Sequence, residues 1–322
     1  MVKCSKCDID AVTYMRYNGR HLCQDHFREY VEKRVKTEIR RQIDLNGKTH
    51  ITVALSGGKD SSVTLAILAD ILNPRPYVKL SAITVDEGIK KYRPLTLEKA
   101  EILTKSLGVQ HHIISFEDEL QITMDAISKR VGKKTPCTYC GVLRRRCMNK
   151  VAREIGANAI ATGLNLDDTA QSIMMNFTRA DVERLARLGP HKKVQPGLIP
   201  RIQPLRRIPE KEVYLYAMLR RIPFSDEICP YADEALRNEY RELIDTMESR
   251  SPGTKHSILA SYDAILPMLR NLYPPASLNL CPCGEPTPKE RCMACELLDE
   301  IRTKRVQKNS RYSYASSPSP RQ

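Results

Sequence analysis

Phe27, Val31, Val35, Ile39 and Ile43 recur every four residues among charged neighbours. This spacing predicts an amphipathic helix that stops at the Asn46-Gly47 turn signal. Ile51 to Leu55 is a short apolar run of strand type. Ser56-Gly57-Gly58-Lys59-Asp60-Ser61-Ser62 follows at once, and Val63 to Leu72 then reads as a helix closed by Asn73-Pro74. Leu80 to Val85 and His112 to Phe116 read as further strands, with helices over Leu95 to Leu107 and Leu120 to Val131. Ala159 to Thr162 is a fourth short strand, and Asp167 to Phe177 is the helix after it. Strand and helix alternate, so the expected class is α/β, a doubly wound, mainly parallel sheet with helices on both faces. Ligands of such sheets sit at the carboxyl ends of the strands. Two polar loops lie there, SGGKDS and Gly163-Leu164-Asn165-Leu166-Asp167-Asp168.

Beyond Thr178 the pattern loosens. Arg179 to Arg207 reads as a basic, loop-rich stretch. Helical spacing returns over Glu210 to Arg221, Asp233 to Glu248 and His256 to Leu272, the last closed by Pro274-Pro275. Thr303 to Gln322 carries five Lys and Arg residues with SSPSP, the composition of a basic, disordered tail.

Composition narrows the class. The chain has 322 residues, 41% hydrophobic and 28% charged, enough for one large or two ordinary globular domains. No apolar run approaches the roughly 18 to 20 residues of a membrane span. The start, MVKCSKCDID, has no apolar core of a signal peptide, so a cytoplasmic location is expected. The formal net charge is +14, with no Trp and four Phe. A polyanionic partner bound by charge and shape rather than by stacking fits this balance.

The 11 cysteines are an odd number in a chain of cytosolic character, which argues for metal sites or catalysis rather than disulfides. Cys4, Cys7, Cys23 and His26 have the spacing C-x2-C-x15-C-x2-H, two short knuckles around one tetrahedral Zn²⁺. Cys281, Cys283, Cys292 and Cys295 make a second candidate zinc set, although its first pair is C-x-C. Cys137 and Cys140 form C-x2-C in TPCTYCG, and Cys229 stands far along the chain in ICPYAD. Three thiolates without a fourth fit either a redox pair with a persulfide-carrying Cys229 or an iron–sulfur cluster held at three corners. Cys147 fits neither set and reads as structural.

SGGKDS between a strand and a helix reads as a phosphate cradle. Gly57 and Gly58 let backbone N–H groups close on an anion, and the helix N-terminus adds its positive dipole end. Lys59 adds a full charge, and Ser56 and Ser61 add hydroxyls. The G-x4-G-K-[ST] pattern of the P-loop is absent.

SGGKDS resembles the PP-loop of the N-type ATP pyrophosphatases. VDEGIKKYR (85–93), PCTYCGVLRRR (136–146), TGLNLDD (162–168) and CPYADEALR (229–237) narrow the resemblance to the tRNA 2-thiouridine synthetases, the TtuA-type enzymes and their cytosolic thiouridylase relatives. The similarity runs from the first cysteine set to the last. It implies a PP-loop, HUP-like catalytic domain over 31–273. A zinc finger is implied at 1–30 and another at 274–301, with a tail at 302–322. It implies ATP bound by Ala54, Ser56, Gly57, Gly58, Lys59, Asp60, Ser61, Val85, Asp86 and Gly163. Lys59, Asp60, Asp167 and Asp168 are implied as catalytic or Mg²⁺-binding, with the choice between the last two open. It favours a [4Fe-4S] cluster on Cys137, Cys140 and Cys229 over the persulfide. Departures from the family are Leu164, where a His is frequent, and Thr169, where a Glu is frequent.

The implied reaction is adenylation of a uridine O2 by ATP, then attack of sulfur at C2. Two Zn²⁺, tRNA, a sulfur donor (sulfide or a thiocarboxylated ubiquitin-like carrier) and a homodimer are implied with it. Arg144, Arg145 and Arg146, with the basic stretch from Arg179 to Arg207, are the expected tRNA contacts. Two readings compete. One is another PP-loop adenylating enzyme, such as a tRNA 2-thiocytidine synthetase. The other is a non-catalytic zinc-finger RNA-binding protein.

Overall fold

The computed structural model describes residues 2–130, 134–190, 195, 197–232 and 237–302. A small hairpin, β1 (Thr13–Met15) with β2 (Arg20–Leu22), leads into α1 (Gln24–Gln42). The predicted four-residue stripe is its buried face: Phe27, Val31, Val35 and Ile39 are all covered. Then come β3 (Thr49–Ala54), α2 (Lys59–Leu72), β4 (Val78–Asp86), α3 (Arg93–Leu107) and β5 (Gln110–Ser115). Two short helices follow, α4 (Phe116–Leu120) and α5 (Met124–Ser128), and then α6 (Pro136–Glu154). The chain continues with β6 (Ala159–Ala161), α7 (Leu166–Thr178), α8 (Val182–Ala186), β7 (Arg201–Ile202) and α9 (Glu210–Leu219). α10 (Arg237–Arg250), α11 (Thr254–Leu272) and the hairpin β8 (Asn279–Leu280) with β9 (Pro286–Thr287) complete the named elements. Helical turns run on over 293–302.

Five strands form one sheet in the order β5-β4-β3-β6-β7, every pair parallel. The expected doubly wound architecture is present. β3 is central and buried along both faces, His50 and Thr52 included. The order reverses between β4 and β6 around β3, and the SGGKDS loop leaves β3 at this switch point.

The outer elements differ from the sequence reading. The helix expected over Leu120 to Val131 is two short helices, because Gln121 turns the chain with φ of +57°; Val131 lies outside the described residues. Phe116 starts α4 instead of ending a strand, since Ser115 accepts the Asp118 N–H as an N-cap. The helix α6 is absent from the sequence reading. Its signal was the start Thr135-Pro136 and the buried face Tyr139, Leu143, Cys147 and Val151. The stretch from Arg179 to Arg207 holds α8 and the edge strand β7 rather than loop alone. Lys192, Lys193, the start of the helix expected from Asp233 and the tail from Thr303 lie outside the described residues.

Both terminal segments share core with the α/β body. Met15, Leu22 and Cys23 pack into the cluster that holds α1, α2 and α9 side chains. Cys281, Cys292, Leu297 and Ile301 pack with Ile83, Tyr139, Leu143 and Met148 in a second cluster. Among the described residues, no helix is long and apolar enough to cross a membrane.

Candidate active site

The loop after β3 is shaped by two glycines. Gly57 has φ of +83°, and a Cβ there would stand 1.9 Å from the Thr96 carbonyl oxygen of α3. Any side chain would push α3 off the loop. Gly163 is tight for another reason, since its Cβ would lie 2.7 Å from the Ser61 nitrogen. The loop after β6 therefore crosses directly over the start of α2. Gly58 is the N-cap of α2 and offers no side-chain cap, which leaves the first N–H groups for an anion. Ser61 ties the loop together: its hydroxyl accepts from the Ser56 N–H at 3.1 Å and donates to the Gly58 carbonyl at 3.0 Å.

Charges gather around this cradle. Lys59 Nζ donates to Glu210 Oε1 at 3.0 Å and stands 3.6 Å from Asp60 Oδ1. Asn165 caps α7 in a reciprocal box with Asp168, and its amide donates to Asp60 Oδ1 at 3.0 Å. Asp168 also receives Arg237 Nη1 at 3.0 Å. Burial pushes the Asp60 carboxyl up from its ordinary range, against Lys59 and the Asn165 amide. Burial pushes Asp168 up as well, opposed by Arg237 and reinforced by Asp60. Two carboxylates that resist ionisation beside a phosphate cradle can share a divalent cation.

Asp167 points elsewhere. It pairs with the buried Lys255 and accepts the Glu210 N–H at the start of α9 at 2.8 Å. It also lines a cavity of about 360 Å³ bounded by Tyr17, Glu212, Lys255 and His256. The structure thus separates the two carboxylates that the sequence left equivalent. Val85 is buried, and Asp86 Oδ1 accepts the Gly88 N–H at 2.8 Å, closing the turn after β4. Ala54 ends β3 beside the cradle.

Cys137 stands in the first turn of α6, where N–H groups favour a thiolate, and Cys140 follows at the start of the next turn. Cys229 comes in on the loop before α10. Cys137 Sγ donates to the Tyr231 carbonyl at 3.2 Å, and the charges of Cys229 and Cys137 both act on Cys140. Burial pushes the Cys140 thiol up to about 11, with Arg144 pulling the other way. Cys147 is fully buried, and that burial raises it to about 12. Three thiols, one of them exposed, with a cation beside them suit a cluster held at three corners.

Two tighter groups lie at the ends of the chain. His26 Nδ1 lies 3.4 Å from Cys4 Sγ, 3.4 Å from Cys7 Sγ and 3.3 Å from Cys23 Sγ. These separations are those of ligand atoms that could hold one zinc-sized ion tetrahedrally. Cys281, Cys283, Cys292 and Cys295 likewise have all ligand atoms within 4.8 Å of one another. The C-x-C spacing does not remove Cys281, whose sulfur accepts the Cys292 N–H at 3.3 Å.

The basic residues divide. Arg144 is exposed, with Nη1 3.6 Å from the buried Glu87 carboxylate, while Arg146 stands 3.8 Å from Glu119. Three consecutive helical residues point about 100° apart, so they cannot form one face. Arg206 is buried on Asp263, and Arg207 binds Glu38 and Asp263. These two hold the fold together. Burial, with Arg145 nearby, pulls Arg201 down to about 10. Arg179, Arg184 and Arg187 are exposed.

Comparison with known proteins decides the family. Residues 29–247 match the PP-loop domain, and residues 3–28 match the N-terminal LIM domain of the 2-thiouridine synthetase TtuA. The tRNA 2-thiolation protein NcsA of Haloferax volcanii is 38% identical over 93% of this chain and 99% of its own. The chain belongs to the PP-loop tRNA 2-thiolation family. The tRNA-5-methyluridine(54) 2-sulfurtransferase of Pyrococcus horikoshii is 33% identical over 81% of this chain and 82% of its own. The solved structure of the U34-tRNA thiolase NcsA from Methanococcus maripaludis with its [4Fe-4S] cluster superposes with a TM-score of 0.81 at 32% identity. That match covers 92% of this chain and 95% of the other.

Against the family pattern, Leu164 is partly exposed and makes no polar contact to replace a His. Thr169 Oγ1 donates back to the Asn165 carbonyl at 2.8 Å. Sequence reasoning missed Arg93, Glu210 and Arg237 as site residues. Arg93 and Arg237 sat inside quoted motifs; Glu210 carried no signal of its own.

Proposed function

We propose that this member of the family is an ATP-dependent tRNA thiolase that converts a uridine to 2-thiouridine. One observation supports the reading: the SGGKDS cradle leaves β3 at the switch point, and Arg93, which donates to its Ser56 carbonyl, pairs with Glu87, 3.6 Å from the Arg144 that follows Cys140 by one turn of α6. A uracil C2 oxygen is a poor leaving group. Transfer of AMP from ATP to O2, with release of pyrophosphate, lets that oxygen depart as AMP. The N–H groups of Gly57, Gly58 and the first turn of α2 hold phosphates, and Lys59 offsets charge that develops as the α-phosphate is attacked. Asp60 and Asp168 are the pair for Mg²⁺, fixed by Asn165; Asp167 has a structural part.

Cys137, Cys140 and Cys229 would hold the [4Fe-4S] cluster, whose open iron supplies a site for a sulfur nucleophile. Arg144 beside them favours thiolate and anionic sulfur. Each terminal cysteine set would hold one Zn²⁺, and thereby pin the N-terminal hairpin and the 281–301 segment to the body. Exposed Arg179, with Arg184 and Arg187, which pair with Asp181 and Glu183 at the surface, are the basic groups offered to the tRNA backbone. The sulfur source is sulfide or a thiocarboxylated carrier, the active form a homodimer, and the setting the cytoplasm with its tRNA.

The test is tRNA-dependent conversion of ATP to AMP and pyrophosphate, with 2-thiouridine mapped by mass spectrometry. Lys59→Ala should abolish both. Thiolation at cytidine, or tRNA binding without ATP consumption, would overturn the reading in favour of a thiocytidine synthetase or a non-catalytic RNA-binding protein.

A further inference from the structure

Glu87 and Arg93 form an ion pair that is almost completely buried, at 1% and 3% exposure. Such a pair is a poor source of stability, because desolvation offsets most of its attraction. Its neighbours give it another use. Arg93 Nη1 donates to the Ser56 carbonyl at 3.0 Å, inside the phosphate cradle, and to Thr96 Oγ1 at 3.2 Å. Thr96 is the residue whose carbonyl fills the space beside Gly57. On the other side, Arg144 Nη1 stands 3.6 Å from Glu87 Oε1. Arg144 in turn follows Cys140 by four residues on α6, one turn along the same face. Glu87 Oε1 is buried and has no hydrogen-bond partner, although its carboxylate faces two guanidinium groups.

One carboxylate therefore stands between the arginine of the cradle and the arginine of the cysteine site. We propose that Glu87 is a positioning residue that fixes the distance and orientation between the two halves of the site. This rests on the thiolase reading above. The chemistry needs such a register. The adenylated uridine has two fates. Sulfur attacks C2, the C2–O bond breaks, and O2 leaves on AMP, giving 2-thiouridine. Alternatively water attacks, AMP leaves, and uridine is regenerated with ATP consumed for nothing. Which fate wins depends on where the sulfur nucleophile sits relative to the bound adenylate, and reacting atoms misplaced by an ångström lose rate steeply. Glu87 touches neither reactant; it acts through Arg93 and Arg144.

The test is the ratio of 2-thiouridine formed to AMP released, measured anaerobically with full-length protein, tRNA, ATP and sulfide. Glu87→Gln keeps the size and removes the charge. It is expected to form AMP within about three-fold of wild type while the ratio falls about ten-fold or more. Arg93→Lys, which keeps the charge and loses the fork, should lower the ratio in the same direction. A loss of fold or of ATP binding would lower both products together and leave their ratio unchanged. An unchanged ratio in both variants overturns the proposal, whatever the overall rate. A wild type that makes no AMP with tRNA overturns the thiolase reading itself, and this inference with it.

Discussion

Lys59 of the phosphate cradle is held 3.0 Å from Glu210 at the start of α9. That carboxylate occupies the same ammonium that phosphate must engage. Its own place is fixed, since Asp167 accepts the Glu210 N–H. Glu210→Gln frees Lys59 and removes a negative charge from the pocket. ATP is then expected to bind about three- to ten-fold more tightly by calorimetry, the scale of one charge-assisted contact. Weaker ATP binding would instead make Glu210 part of the ATP site.

Asp168 and Asp167 should separate in opposite ways. Asp168→Asn is expected to lower thiolation about 100-fold or more with little change in melting temperature, as for a group lost from the reacting centre. Asp167→Asn leaves Lys255 with Asp245 alone and loosens α9, so stability should fall by about 2 to 4 kcal/mol. Its activity, measured well below its melting temperature, should stay within about ten-fold of wild type. Urea unfolding and thiolation assays on both variants make the comparison.

Metal removal should act on folding first. The C-terminal cysteines Cys281 and Cys292 are buried in the cluster that supports α6, which carries Cys137 and Cys140. Cys292→Ser is expected to reduce bound zinc from two ions per chain to one and to lower the melting temperature. Cys4→Ser should also remove one. Elemental analysis counts the ions. Two zincs retained in either variant would contradict the assignment.

Glu212 gives stability a pH dependence. Burial raises its carboxyl to about 7, with the Tyr17 hydroxyl donating to it at 2.6 Å. A carboxyl raised on folding stabilises most below its unfolded pKa, near 4.5, and that contribution fades as pH rises through 7. The shift corresponds to roughly 2 to 4 kcal/mol. Glu212→Gln should therefore flatten the fall in melting temperature between about pH 5 and 8. Parallel curves for wild type and variant would show that the carboxyl ionises as freely as in the unfolded chain.

The central sheet was legible because short apolar runs within β3 and β4 are bounded by turn signals, and because SGGKDS sits where a strand meets a helix. α6 was not, because its start carries the cysteine pair, which was read for its redox or iron–sulfur chemistry and not for its helical spacing. The role of Asp167 was hidden for a different reason. Its partner Lys255 lies 88 residues away, and no local pattern announces that pairing. Arg206 and Arg207 looked like part of a tRNA surface, yet Asp263 and Glu38 claim them inside the fold. Charge in a sequence tells how many cations exist; burial decides which of them face a partner.

The central claim is that Cys137, Cys140 and Cys229 form the sulfur-transfer site and Cys147 does not. Anaerobically purified single serine variants should be assayed for iron, acid-labile sulfide and 2-thiouridine formed from tRNA, ATP and sulfide. Wild type and Cys147→Ser should carry about four irons and thiolate tRNA, while the other three variants lose both. Full thiolation without iron, or loss of activity in Cys147→Ser with its fold intact, would contradict the account.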